Sequence, residues 1–258
     1  MVSLELKGKL FGEKMNETMR KIFLILIFIT GCDLIDNDVP IKSPLIVLTF
    51  DDGHKSIYEL AFPLMKQYNY PGVNFVPTGW INAPDMMTLD ELYEMETAGW
   101  ETGGHTVTHA NLTTIPIDSA RMEISKNYQQ LIDFGLKHRC FALPAGHSNS
   151  EIDKIIKKYF DIIRTSYNEH YSFPLNKDRL GYYQVQDNDD ENSLLLRVNH
   201  GITEEECLII FGFHQFTVDK PTFICMMNSA VFLKFLEGLK KRNLEVLTLS
   251  EAVDRLTK

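Results

Sequence analysis

The chain of 258 residues is 44% hydrophobic and 24% charged, which places it among globular proteins with enough length for one large core. A formal net charge of -9 excludes a basic nucleic-acid groove and makes an anionic polymer a poor partner. Four cysteines, Cys32, Cys140, Cys207 and Cys225, show no CxxC pair and no regular spacing, so neither a zinc knuckle nor a disulfide framework is expected. Cys140 and Cys207 sit beside apolar runs and read as small packing residues.

Arg20 and Lys21 precede an apolar run over residues 22–29, too short to span a bilayer comfortably but right for the core of a signal peptide. The run ends in Ile29, Thr30, Gly31 and Cys32, which resembles a bacterial lipobox and implies lipidation of Cys32. Residues 1–32 therefore read as a signal segment, with Met15 a more natural start than Met1. An uncleaved anchor helix is the alternative, and both readings export the domain. Several acyl chains on one cysteine hold a protein stably on a membrane. Residues 33–43 are acidic, carry Pro40, lack apolar periodicity and read as a tether, leaving 44–258 as a single folded domain.

Within that domain residues 45–49 form an extended apolar run, 56–68 are helical and 72–76 extended. Residues 88–98 are helical and closed by Gly99, and 100–104 are extended again. Residues 119–134 have helical spacing through Met122, Ile124, Tyr128, Leu131 and Ile132, and Gly135 stops them. A strand over 140–143, a helix over 151–159 and a strand over 162–165 follow. Over 173–201 only a strand at 181–185 and an acidic loop at 187–191 stand out. The continuous apolar run 208–213 suits a strand buried on both faces. A helix over 229–241, a strand over 245–247 and a closing helix over 250–256 capped by Ser250 complete the chain.

Strand and helix alternate with no G-x-G-x-x-G and no Walker loop, which points to a β/α barrel rather than a nucleotide-binding sheet. In such barrels the chemistry sits in the loops after the strands. The reactive residues fall there: Asp51 and Asp52 after the first strand, His105 and His109 after the third, the loop 144–146 after a later one, and His214 after the apolar run. Two adjacent aspartates converge on one site only where a strand has ended, and Gly53 supplies the turn. A hydrolytic metal site needs such a pair, one carboxylate to hold a cation and another to take a proton from water. The H-x-x-x-H spacing of His105 and His109, preceded by Gly103 and Gly104, adds two imidazoles to one carboxylate and leaves a coordination position open.

The ordered set TFDDG, HTVTH, a proline-glycine loop, a late strand ending in histidine, and VLTLSEAV resembles the polysaccharide deacetylases, the NodB-homology domain of carbohydrate esterase family 4. The resemblance covers residues 44 to the C-terminus and implies an α/β fold of the distorted, incomplete (β/α) barrel type. It also implies Asp52, His105 and His109 as metal ligands, Asp51 as general base, His214 as general acid, and the backbone N–H of Ala145 as oxyanion donor. The activity implied is removal of N-acetyl groups from an N-acetylglucosamine-containing polysaccharide or peptidoglycan by an extracytoplasmic, membrane-anchored lipoprotein. One divalent ion is implied; zinc fits the ligands, and iron, cobalt or nickel would bind them as well. An acetyl-ester (xylan) esterase or a small cyclic-amide hydrolase on the same site, and a non-catalytic glycan-binding lipoprotein, are the other readings.

Many family members carry an arginine at the start of the proline loop that pairs with the base carboxylate, where this chain has Ala142. Ala142 is the feature that favours the non-catalytic reading, and Arg164, at another strand end, is the expected substitute. The aspartate and tryptophan that usually orient the acid histidine are not recognisable, since Trp80 and Trp100 lie elsewhere. His54 and His147 neighbour the motifs and read as solvated loop histidines.

Overall fold

Apolar residues fill both faces of the strand LIVLTFD, so it requires cover on both sides and takes a central place. In the computed structural model, which describes residues 43–166 and 171–257, this strand is β1 (Leu45–Asp51), buried at every position. It is followed by β2 (Val73–Val76), β3 (Glu101–Gly104), β4 (Cys140–Ala142), β5 (Ile162–Arg164), β6 (Tyr183–Gln184) and β7 (Leu208–Phe213). These seven form one parallel sheet in the order β5-β4-β3-β2-β1-β7-β6. Two short strands, β8 (Gln215–Thr217) and β9 (Met226–Asn228), pair with each other beside it.

The helices are α1 (Phe62–Gln67), entered through a wide turn at Ile57–Ala61, α2 (Leu89–Thr97), α3 (Ile117–Asp133), α4 (Ser150–Ile156), α5 (Glu191–Thr203), α6 (Ser229–Lys241) and α7 (Leu249–Leu256). Strand alternation sorts the core into two layers. Ile46, Leu48 and Phe50 pack with Ile124 and Leu131 of α3 and with Phe232 and Phe235 of α6. Leu45, Val47, Phe75, Cys140, Ala142 and Ile162 point to the opposite face, where Leu249, Ala252 and Val253 of α7 close the layer.

That second face is concave. In a flat sheet, β1 and β5 would stand four spacings apart, roughly 19 Å. Yet Arg164 at the end of β5 is hydrogen-bonded to Asp51 at the end of β1. The sheet therefore curls into a half-barrel, the distorted and incomplete (β/α) barrel expected from the sequence. Its open side lies between the edge strands β5 and β6. The described residues fall within one compact unit.

Several expectations need correction. Residues 245–247 make only an isolated bridge, Ile46 with Val246, rather than a strand. The last helix is capped by Thr248, through a capping box with Glu251, while Ser250 lies inside it and bonds Glu101. On α3 the buried stripe is Ala120, Ile124, Asn127 and Leu131, and Met122 is exposed. Helix α5 had no expectation, because Asp190 caps it directly from the acidic loop and its apolar stripe is short. Cys140 and Cys207 are buried in the core as expected. Cys32, the signal segment and the tether up to residue 42 lie outside the described residues. Among the described residues no helix is long and apolar enough to cross a membrane.

Candidate active site

The ends of β1 and β3 supply the centre of the site. Asp51 is the last residue of β1, on the concave face with Leu45 and Val47, and Asp52 follows with a left-handed backbone, φ 72°. This reversal, continued by Gly53 at φ 73°, lets two adjacent carboxylates serve one site. After β3, Thr106 and His109 also take left-handed conformations, φ 64° and 61°. Such backbone strain persists only where the surroundings over-determine it.

Those surroundings come from α3. Glu123 accepts from Val107 N–H at 2.8 Å, Thr108 N–H at 2.9 Å and the Thr108 hydroxyl at 2.9 Å. Asn127, one turn on and fully buried, donates to the Thr106 carbonyl at 2.6 Å. Gly104 is required here, because a Cβ at that position would come within 2.4 Å of Asn127 Oδ1. Neither Glu123 nor Asn127 was singled out from sequence. The signal was a polar pair at i,i+4 on the side of a helix that carries Ile124 and Leu131.

The loop so held brings His105 Nε2 to 3.5 Å and His109 Nε2 to 3.2 Å from Asp52 Oδ1. One ligand atom from each of the three residues lies within 4.8 Å of the others. His105 Nδ1 sits 2.8 Å from the Ala142 carbonyl, so its N–H donates there and the lone pair of Nε2 faces Asp52. Asp52 Oδ1 is buried and has no hydrogen-bond partner among the described residues. Two imidazole nitrogens aimed at one unsatisfied carboxylate oxygen fit a divalent cation, with coordination positions to spare. Burial works to raise the Asp52 carboxyl, but the contact with His105 and the nearby His214 and His109 outweigh it and hold it well below the usual range. Burial, aided by His105, lowers the pKa of His109, the direction that favours the neutral form a ligand needs.

Asp51 is held from the other side. Arg164 Nη2 donates to Asp51 Oδ2, and both side chains are buried. Ala142 and Arg164 are register partners on β4 and β5, so the cation stands one strand away from the position where the family resemblance places it. The guanidinium lies 4.0 Å from the ring centroid of Tyr182 and 5.0 Å from that of Phe75. Burial disfavours its charge, yet Asp51 and Tyr182 keep its pKa raised. Tyr182 fits only because residue 212 is glycine; a Cβ there would meet the ring at 2.2 Å. The other oxygen, Asp51 Oδ1, has no hydrogen-bond partner among the described residues.

His214, directly after β7, places Nε2 at 3.8 Å from Asp51 Oδ2. Its Nδ1 is buried with no hydrogen-bond partner among the described residues, in keeping with the missing orienting aspartate. Ala145 sits exposed after β4 with φ 55°. His147 is exposed, as expected of a loop histidine. His54 is not. It lines a cavity of about 390 Å³ with Asp52 and His214, its Nε2 is 3.8 Å from Asp52 Oδ2, and burial lowers its pKa.

Fold and site together define a class: half-barrel α/β proteins with an Asp/His/His cluster able to hold a metal ion and a second carboxylate at the strand ends. More specifically, residues 38–159 match the polysaccharide deacetylase family. It is 30% identical over 132 residues to the poly-beta-1,6-N-acetyl-D-glucosamine N-deacetylase of Staphylococcus aureus, a match covering 43% of each chain. The chain thus spans less than half the length of the curated relatives it matches. Among solved structures it resembles the Streptococcus pyogenes deacetylase PplD in complex with acetate, with 25% identity and a TM-score of 0.55 over 59% of this chain and 69% of that one. The Xyl-CE4 domain of a multidomain xylanase from the hindgut metagenome of Trinervitermes trinervoides shares the fold, with 20% identity and a TM-score of 0.59 over 83% and 91% of the two chains.

Proposed function

We propose that this protein is a metal-dependent hydrolase that removes N-acetyl groups from a glycan containing N-acetylglucosamine. One observation carries the reading: three cation ligands converge beside a carboxylate that a buried arginine holds by one oxygen only. Asp52, His105 and His109 would hold one divalent ion; zinc fits these donors, and iron, cobalt or nickel would bind them as well. Such an ion supplies Lewis-acid activation of water and of the amide carbonyl.

The rest is done by the chain. Arg164 fixes the plane of the Asp51 carboxylate by direct pairing at Oδ2, so that Oδ1 accepts the proton of the attacking water. The backbone N–H of Ala145, at the rim, donates to the oxyanion of the tetrahedral intermediate. His214 then gives a proton to the departing amine as the C–N bond breaks, leaving acetate and a free amino sugar. The buried pair with Arg164 removes the feature that favoured a purely binding role, because the base does not lack its cation. Lipidation at Cys32, and with it an extracytoplasmic membrane anchor, belongs to the same reading and rests on the lipobox sequence alone.

Acetate release from N-acetylglucosamine oligomers, with a matching gain of primary amines, tests this function. Release from acetyl esters but not from the oligomers would refute it.

A further inference from the structure

The chain beyond His214 builds a loop with a firm base and an apolar tip. Strands β8 and β9 pair in parallel at that base, and Asn228 Nδ2 donates to the carbonyls of Val218 at 3.2 Å and Asp219 at 2.9 Å. Phe216 N–H donates to Ser56 Oγ at 3.0 Å, and the Phe216 ring packs on Phe213 and Phe232. Between the two strands, Phe223 and Ile224 are 66% and 74% exposed. Both line the cavity of about 390 Å³ whose other walls include Asp52, His54 and His214. Large apolar side chains left in water on a pinned loop mark a binding surface.

We propose that residues 218–225 form the platform for the sugar ring that bears the acetamido group, with Phe223 packed against one C–H face of the pyranose. This deepens the deacetylase reading and rests on it. The cavity lining is amphipathic: it combines a carboxylate, imidazoles and the Gln215 amide with the apolar side chains of Phe223 and Ile224. A pyranose has the same division, an apolar C–H face and a hydroxylated edge, and a cavity of this size takes one ring with its acetamido group. A lipid surface is the weaker occupant, because the two side chains line a cavity with a charged wall instead of a uniformly apolar face.

The test compares wild type, Phe223→Ala and Phe223→Trp on an N-acetylglucosamine tetramer. Phe223→Ala raises KM about 3- to 10-fold with little change in kcat, and Phe223→Trp restores the KM. The fold tolerates both, as the side chain is mostly in water, and an unchanged melting temperature verifies it. An unchanged KM in Phe223→Ala overturns the proposal. So does loss of binding to phosphatidylglycerol vesicles at an unaltered KM, which would make the loop a membrane lip. If wild type releases no acetate, the activity reading falls by itself. Titration of the tetramer onto both proteins then decides the platform: weaker binding by Phe223→Ala supports it, and equal binding overturns it.

Discussion

Arg164 reaches across the concave face of the sheet to bind one carboxylate oxygen of Asp51, and the other oxygen stays free. Both residues alternate with core side chains, Ile162 before Arg164 and Val47 before Asp51, so the period of the strands alone turns them inward. Removing one partner of a buried pair leaves an uncompensated charge. Arg164→Ala is expected to cost about 3–5 kcal/mol of stability and to lower kcat. Because Ala142 stands beside Arg164 in register, the double variant Ala142→Arg with Arg164→Ala should recover part of both losses. Denaturant unfolding and kcat on wild type, Arg164→Ala and the double variant read this out; a double variant no better than Arg164→Ala would show that only β5 can present the guanidinium.

Gly212→Ala tests how the arginine is kept in place. The added methyl meets the Tyr182 ring, which must leave the face of the guanidinium. Overpacking of this kind costs about 1–3 kcal/mol, and kcat should fall with it although residue 212 touches no ligand. Kinetics at a temperature where the variant is fully folded separate the two effects.

The loop that carries His105 and His109 depends on α3. Glu123→Ala strands the N–H groups of Val107 and Thr108 and frees a loop that holds two left-handed residues. Metal affinity is expected to drop about 10- to 100-fold, as measured by competition with a chelator, with little loss of the global fold.

Much of this was legible in the sequence for physical reasons. The apolar runs of β1 and β7, the glycine stops after α2 and α3, and the ligand spacing all follow from local chemistry that a one-dimensional pattern preserves. What was hidden depends on curvature. Arg164 was recognisable as a charge at a strand end, but its reach to Asp51 exists only because the sheet curls over the four spacings between β1 and β5. Tyr182 looked like an ordinary strand aromatic, and Asn127 like a polar interruption of a helix; each gains meaning from a partner more than fifteen residues away. The 245–247 segment misled in the other direction, since Val246 makes a single bridge to Ile46 of the central strand β1 without extending into a strand.

A second buried carboxyl sets a pH dependence outside the site. Glu101, at the start of β3, accepts from Ser250 N–H at 3.0 Å and from the Ser250 hydroxyl, tying α7 beneath the barrel. Burial raises its pKa above the ordinary 4.5 despite those bonds. A raised folded pKa means the native state binds the proton more tightly than the unfolded chain. Its contribution is full below about pH 4.5 and is lost as pH rises through the folded value. Glu101→Gln should therefore flatten the fall in stability as pH rises above about 4.5. Melting temperatures of both proteins across that window check it, and parallel curves would argue against a titrating Glu101.

The account turns on one cation held by Asp52, His105 and His109 while Asp51 works on water. Metal content and acetate release, determined on the same preparations of wild type, Asp52→Asn and Asp51→Asn, test it most directly. Wild type should carry one divalent ion per chain, and Asp52→Asn should lose both ion and activity. Asp51→Asn should keep the ion while its rate falls about 100- to 10,000-fold. An Asp51→Asn enzyme as fast as wild type, or an Asp52→Asn protein that still holds its metal, would contradict the assignment.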